Sequence, residues 1–211
     1  MKNLIIIKVY RSWAIIPICI LFLMSCEREA LIEVPVKSIV YTLDGSTIKL
    51  GDRSPITIDV NNDDVVDFIV FTELTADKQG DHLYVGINPL RENLIKAGPS
   101  DDSRLLNMGL LEEEPLSGVI SEELETNQHW SIHYNALVIK NTNNDGSIEY
   151  EGSWADSDSG IVGIQLKNNG KGYFGWLRLR FDKTTEIVTL LDYAIEMTQT
   201  QPIKAGDHGL E

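Results

Sequence analysis

The stretch Tyr173-Phe174-Gly175-Trp176-Leu177-Arg178-Leu179-Arg180-Phe181 decides the fold. In an extended chain successive side chains point to opposite faces, so Tyr173, Gly175, Leu177, Leu179 and Phe181 share one side and Phe174, Trp176, Arg178 and Arg180 the other. The first set reads as a core face. The second has two readings. Rings beside guanidinium groups can stack against sugars or anions and make cation–π contacts of about 0.5–2 kcal/mol, forming a ligand platform to which Trp130 and Trp154 could add. Alternatively, a further layer covers them, with Arg178 and Arg180 paired to its carboxylates.

Working outward, residues 160–166 and 186–197 are β-rich and are separated from the central stretch by the turns 167–171 and 182–185, which predicts a three-strand meander. Residues 38–43 and 47–50 flank Asp44-Gly45-Ser46 as a candidate hairpin. Residues 56–58, 67–74 and 82–87 read as strands. So do 130–139 and 146–154, around the turn signal Asp145-Gly146. Weak helical spacing at Leu90, Leu94 and Ile95 marks 89–97, and 98–125 is a long, acidic, loop-like region. Many short strands with turn signals at close intervals predict an all-β fold, a mostly antiparallel β-sandwich of jelly-roll type with little helix, as one domain over 37–211.

Between two of these strands, Asp59, Asn61, Asp63 and Asp67 fall at the first, third, fifth and ninth places of a loop, with the backbone carbonyl of Val65 at the seventh. Alternate oxygen donors suit Ca2+, which takes six to eight oxygens. Val70 at the twelfth place cannot supply the bidentate carboxylate of an EF-hand, and Asp64 replaces the usual glycine at the sixth. The segment resembles the shorter D-x-N-x-D-x-x-x-D loops of calcium-binding β repeats in secreted proteins. A polar turn carrying no ion is the alternative, since Asn and Asp are ordinary turn residues. Asn141, Asn143 and Asp145, and Asp156-Ser157-Asp158, repeat the spacing with less charge or order and read as turn and loop. His129 and His133 lie on an expected strand, about 13 Å apart, too far to share an ion.

At the N-terminus Lys2, Lys8 and Arg11 precede an apolar run at 13–24, too short to span a bilayer but fit for a signal peptide. It ends in Leu23-Met24-Ser25-Cys26, which resembles a bacterial lipobox. That resemblance implies a signal peptide over 1–25, cleavage before Cys26, lipidation of its sulfur and a tether over 26–36. Acidic residues after the cysteine, here Glu27 and Glu29, resemble the surface-export signal of Bacteroidota lipoproteins. Cys19 leaves with the leader, so the mature chain holds no disulfide, and the expected location is a lipid anchor in the outer membrane, facing periplasm or exterior.

Cleavage leaves 15 Lys and Arg against 32 Asp and Glu, a formal charge of −17 on 186 residues. So acidic a surface repels nucleic acid and anionic headgroups. No G-x-S-x-G, H-E-x-x-H or Cys/His nucleophile pattern occurs, and no catalytic residue is singled out.

The strand Tyr173-Phe174-Gly175-Trp176-Leu177-Arg178-Leu179, then Leu191-Asp192-Tyr193-Ala194-Ile195-Glu196 and Pro202-Ile203-Lys204-Ala205-Gly206, is similar to a group of secreted bacterial β proteins with Y-x-G-W-[IL]-R and D-Y-A-[YFI]-E strands. The resemblance implies an exported all-β domain and brings no activity with it. The expected function is a non-enzymatic, calcium-braced envelope lipoprotein that recognises a glycan or an envelope protein. The alternatives are an enzyme that cleaves extracellular polysaccharide with paired carboxylates and a purely structural envelope component.

Overall fold

A computed structural model describes residues 38–100 and 108–209. The chain divides into Met1–Pro35 and Val36–Glu211, and everything described belongs to the second unit. The leader and Cys26 lie outside the described residues.

In chain order the strands are β1 (Ile39–Leu43), β2 (Thr47–Lys49), β3 (Ile56–Ile58), β4 (Phe68–Ala76), β5 (Gly80–Pro89), β6 (Leu94–Ser100), β7 (Gly109–Leu111) and β8 (Val119–Ile120). They continue with β9 (His129–Ser131), β10 (Asn135–Asn143), β11 (Ile148–Glu151), β12 (Gly160–Asn168), β13 (Lys171–Asp182), β14 (Ile187–Glu196) and β15 (Ile203–Lys204). Thirteen of them join one sheet in the order β1-β14-β13-β12-β6-β7-β10-β5-β4-β3, with β2 beside β14, β9 beside β6 and β11 beside β10. Among the described residues only β7 and β10 pair in parallel. The protein is all-β, a mostly antiparallel mixed sheet curled into a half-barrel, and among the described residues the one helical element is the 3-10 turn Ser153–Ala155. These thirteen strands connect as one continuous sheet, and β8 and β15 pair separately.

Curling turns one face of both halves inward. Val70, Val85, Ile87 and Val138 from one half share a core with Val162, Ile164, Leu177, Leu179, Val188 and Ile195 from the other. Burial of this apolar face is the main stabilising term, at about 25 cal/mol per Å². Trp154, read from sequence as a contributor to an exposed platform, is instead fully buried in this core and donates from Nε1 to the carbonyl of Leu179 at 3.1 Å. Its ring occupies the space a side chain at Gly160 would need, with ring atom Cε2 only 2.6 Å from an added Cβ.

The expected meander is present, with Val162↔Leu177 and Leu177↔Tyr193 in register across β12, β13 and β14. Residues 130–139 are not one strand but parts of β9, beside β6, and β10, beside β5, and the loop-like 98–125 contains β7 and β8. Two further expectations fail. Residues 89–97 are not helical: β5 runs to Pro89, Arg91 turns at φ 59°, and Leu94–Ser100 becomes a central strand. Gly98-Pro99 would end a helix after little more than two turns, too short to be stable alone, while β12 on one side and β9 on the other satisfy the backbone of the strand. Nor do β1 and β2 pair with each other. Both lie along β14, Ile39 opposite Glu196 and Thr47 opposite Thr189, as one edge broken at Asp44-Gly45-Ser46. Asp44 Oδ1 accepts from the amides of Gly45 and Ser46, which holds the break in shape. At the same level β14 bulges at Leu191 against β13.

On the outer face of β13 sits a second apolar cluster, Ile120, Ile161, Phe174, Trp176, Ala194, Ile203 and Ala205. The two-stranded sheet β8–β15 supplies Ile120 and Ile203 as its cover.

Candidate functional site

The outer row of β13 separates into a covered end and an open end. At the covered end Phe174 and Trp176 are 1% and 0% exposed, so neither presents a ring to solvent. Trp130 packs on Phe174 with ring centroids 5.9 Å apart. Trp176 donates from Nε1 to the carbonyl of Asp207 at 3.2 Å, and the His208 ring lies 4.4 Å from Tyr41 and 5.7 Å from Trp176. Arg178 forms a bidentate pair with Asp192, Nε to Oδ1 at 2.7 Å and Nη2 to Oδ2, while its guanidinium lies 5.9 Å from the Trp176 ring. Asp192 also accepts from the Tyr41 hydroxyl at 2.9 Å. Hydrogen bonding to Asp192 raises the Arg178 pKa, and burial followed by the Asp192 carboxylate raises that of Tyr41. Of the two readings offered by the sequence, this end follows the covered one.

Farther along the same face, Lys96 and Glu114 form an ion pair at 2.7 Å with both side chains 6% exposed. Burial raises the Glu114 pKa against the opposing pull of Lys96. Gln165, also buried, donates to Glu122 Oε2 at 3.2 Å. Nothing in the sequence pairs residues 96 and 114, because the contact depends on β6 being a strand.

Arg180, two residues beyond Arg178, is exposed, and its guanidinium makes no hydrogen bond or ion pair among the described residues, although its charge helps to lower the pKa of Asp182. It lines a pocket of about 460 Å³ with Asp156, Ser157, Asp158, Asp182 and Lys183, backed by Ala155 and Phe181. Most of these polar groups already have partners. Lys183 Nζ meets Asp156 Oδ1 at 2.9 Å, and Ser157 Oγ donates to the carbonyl of Ser159 at 3.1 Å. Asp182 Oδ1 accepts from the amides of Thr184 and Thr185, and the Thr185 side chain, followed by these two amides, holds its pKa below the usual carboxylate range. At the rim, Tyr150 stacks beside Phe181 with centroids 5.7 Å apart, and its hydroxyl donates to Glu186 Oε1 at 2.9 Å. The same oxygen meets Lys140 Nζ at 2.5 Å. Burial, then Glu186, pushes the Tyr150 phenol up to about 12, and Lys140 lowers the pKa of Glu186. The 156–158 segment, read as a loop from sequence, thus becomes one wall of the pocket.

The Asp-rich loop connects β3 to β4 as expected, with Ile58 opposite Phe68. Asn62 and Asp64 take φ of 58° and 64°, which Asn and Asp tolerate better than most residues. Asp59 accepts from the amides of Asp63 at 3.2 Å and Asp64 at 2.8 Å, Asn61 Oδ1 from Asp63 at 3.2 Å, and Asp63 Oδ1 from Val65 at 3.0 Å. Asp67 turns the other way. It is 1% exposed, with Oδ2 accepting from the Val60 amide and Oδ1 from Asn93 and Arg91. Burial raises its pKa, and the charges of Asp63 and Asp59 raise it further. Among the described residues no group of three Asp, Glu, His or Cys side chains is assembled as a metal cage. The carboxylates of Asp59 and Asp63 retain lone pairs beyond the amides they accept. Asp67 is committed to the protein and stands behind them.

Comparison with family models, with curated proteins and with solved structures finds no match to this chain.

Proposed function

We propose that the protein is a lipid-anchored protein of the bacterial envelope whose β domain recognises a glycan or a neighbouring envelope protein without chemical turnover. The observation that carries the anchor is Leu23-Met24-Ser25-Cys26 closing an apolar run behind Lys2, Lys8 and Arg11. Among the described residues no helix is long and apolar enough to cross a membrane. The two halves of the curled sheet, which share one core, are read as the facing leaves of a sandwich-like body. The open pocket beside Arg180 is the surface such a body offers to a ligand.

Recognition is favoured over polysaccharide cleavage by the state of the carboxyl groups. A glycoside-cleaving site needs one carboxyl held protonated beside a second, both open to the substrate. Among the described residues the carboxyl groups with raised pKa are Glu114 and Asp67, and both are buried and partnered, Glu114 against Lys96 and Asp67 by Val60, Asn93 and Arg91. The pocket's own Asp182 is held ionised.

Calcium is the proposed brace of the 59–67 loop. Repulsion of Asp67 by Asp59 and Asp63 supports this, since a divalent cation held by Asp59, Asn61 and Asp63 would relieve it. Mass spectrometry of the native protein tests the anchor: acyl groups on an N-terminal Cys26 are expected, with Cys26→Ser released into the soluble fraction. An unmodified, soluble wild-type chain would overturn it. The brace is tested by thermal melting of full-length protein in detergent. A chelator is expected to lower Tm by several degrees, and Asp63→Ala to abolish that response; on a domain of this size about 1 kcal/mol moves Tm by 2–4 °C.

A further inference from the structure

We infer that the pocket at the end of β13 is a binding site for an uncharged carbohydrate ring, an assignment that rests on the recognition reading and gives it a place and a ligand class. The volume of about 460 Å³ falls within the ordinary range of small-ligand sites, about 300–1,000 Å³. What decides the ligand is which polar groups remain available. Asp156 faces Lys183 across a solvated pair, Asp182 Oδ1 accepts from the amides of Thr184 and Thr185, and Ser157 Oγ donates within its own loop. Arg180 and Asp158 are exposed and make no hydrogen bond or ion pair among the described residues, although both line the pocket.

Arg180 brings several N–H donors in a planar fork, and Asp158 brings two acceptor oxygens. A hydroxyl both donates and accepts, so a polyhydroxylated ring uses the two together. Charge narrows the class further. An anion entering to meet Arg180 would face Asp156, Asp158 and Asp182 on a chain with a formal charge of −14. A cation seeking Asp158 would face Arg180 and Lys183. An uncharged ligand is opposed by neither. The site is also preformed: Arg180 sits in the strand, and Asp182 pins the following turn by accepting from the amides of Thr184 and Thr185. A preformed site spends less of its interaction energy on ordering.

The test is an array of neutral, sulfated and uronic-acid oligosaccharides probed with full-length protein in detergent, followed by calorimetry on the best neutral oligosaccharide. Arg180→Ala, Asp158→Asn and a distant control, Arg53→Ala, are compared with wild type. Both pocket residues are exposed, so the melting temperature of each variant should match wild type and separate loss of binding from loss of fold. The expected result is binding of at least one neutral oligosaccharide, weakened about tenfold or more by either pocket substitution and unchanged by Arg53→Ala. Neutral-glycan binding that both pocket variants retain would overturn this site and leave the recognition reading standing. Binding confined to sulfated or uronic-acid glycans would overturn the ligand class. Absence of any glycan binding by wild type would remove the site and the glycan reading together.

Discussion

Arg178 and Arg180 stand two residues apart on one face of one strand and have opposite fates. Arg178 is clamped to a carboxylate that is 1% exposed, beside a tryptophan that is 0% exposed. Arg180 opens onto a solvent-filled pocket with no bonded partner among the described residues. The boundary between them falls where β8–β15 and the segment at 205–209 stop covering the sheet, and where β14 bulges at Leu191. A charge removed from water must be paired to persist, so covered charges are committed to architecture. A charge left in water loses little by waiting for a ligand. Lys96–Glu114 extends the covered regime and Lys183–Asp156 the open one: side chains are 6% and 6% exposed in the first pair, 45% and 91% in the second.

The sharpest way to break this contrast is to remove one partner of the covered pair. Lys96→Met should destabilise the protein by about 3–5 kcal/mol in urea unfolding, because Glu114 is left buried without a counterion. Lys96→Met combined with Glu114→Leu should recover most of that loss; a double variant as unstable as the single would mean that the pair does not act as a unit.

A smaller effect lies in the pH dependence of stability, and it should have opposite signs in the two regions. Glu114 has a raised folded pKa, so just above the usual carboxylate range the folded state holds more protons and stability falls as pH rises through that window. Glu186, at the open end, has a lowered pKa, so its contribution is present above the unfolded value and disappears as pH falls through the folded one. Melting curves across pH should show a shallower first slope in the Lys96/Glu114 double variant, where Asp67 still contributes with the same sign, and a shallower second slope in Glu186→Gln, where Asp182 still does. The smallest effect belongs to Lys183→Met, which should leave the melting temperature at the wild-type value, since its partner Asp156 is almost wholly solvated. A marked fall in Tm would show that this surface pair is structural after all.

What could be seen in the sequence follows the range of the interactions. The β12–β13–β14 meander, the β3–β4 connection and the turn at Asp145-Gly146 are set by neighbours in the chain, and alternation with turn chemistry exposes them. The edge formed by β1 and β2 depends on pairing Ile39 with Glu196, far along the chain, and a Gly-containing break looks locally like a hairpin turn. Strand β6 was obscured because Leu90, Leu94 and Ile95 imitate helical spacing while the pairing of Ile95 with Ile164 and Ser131 is non-local. The site divides in the same way. The strand pattern places Phe174, Trp176, Arg178 and Arg180 on a common face, but only the tertiary position of Ile203 and His208 decides which are roofed. Trp154 had no local mark of burial, since its place is fixed by Leu179 on a distant strand.

The interrupted border at Asp44-Gly45-Ser46 also bears on self-association. An unbroken, flat outer strand would offer incoming copies a run of free amides and carbonyls. Here the chain kinks after Leu43, the Asp44 carboxylate occupies two of the local amides, and a negative charge sits at the kink. An incoming strand would find no long, unbroken template along this border.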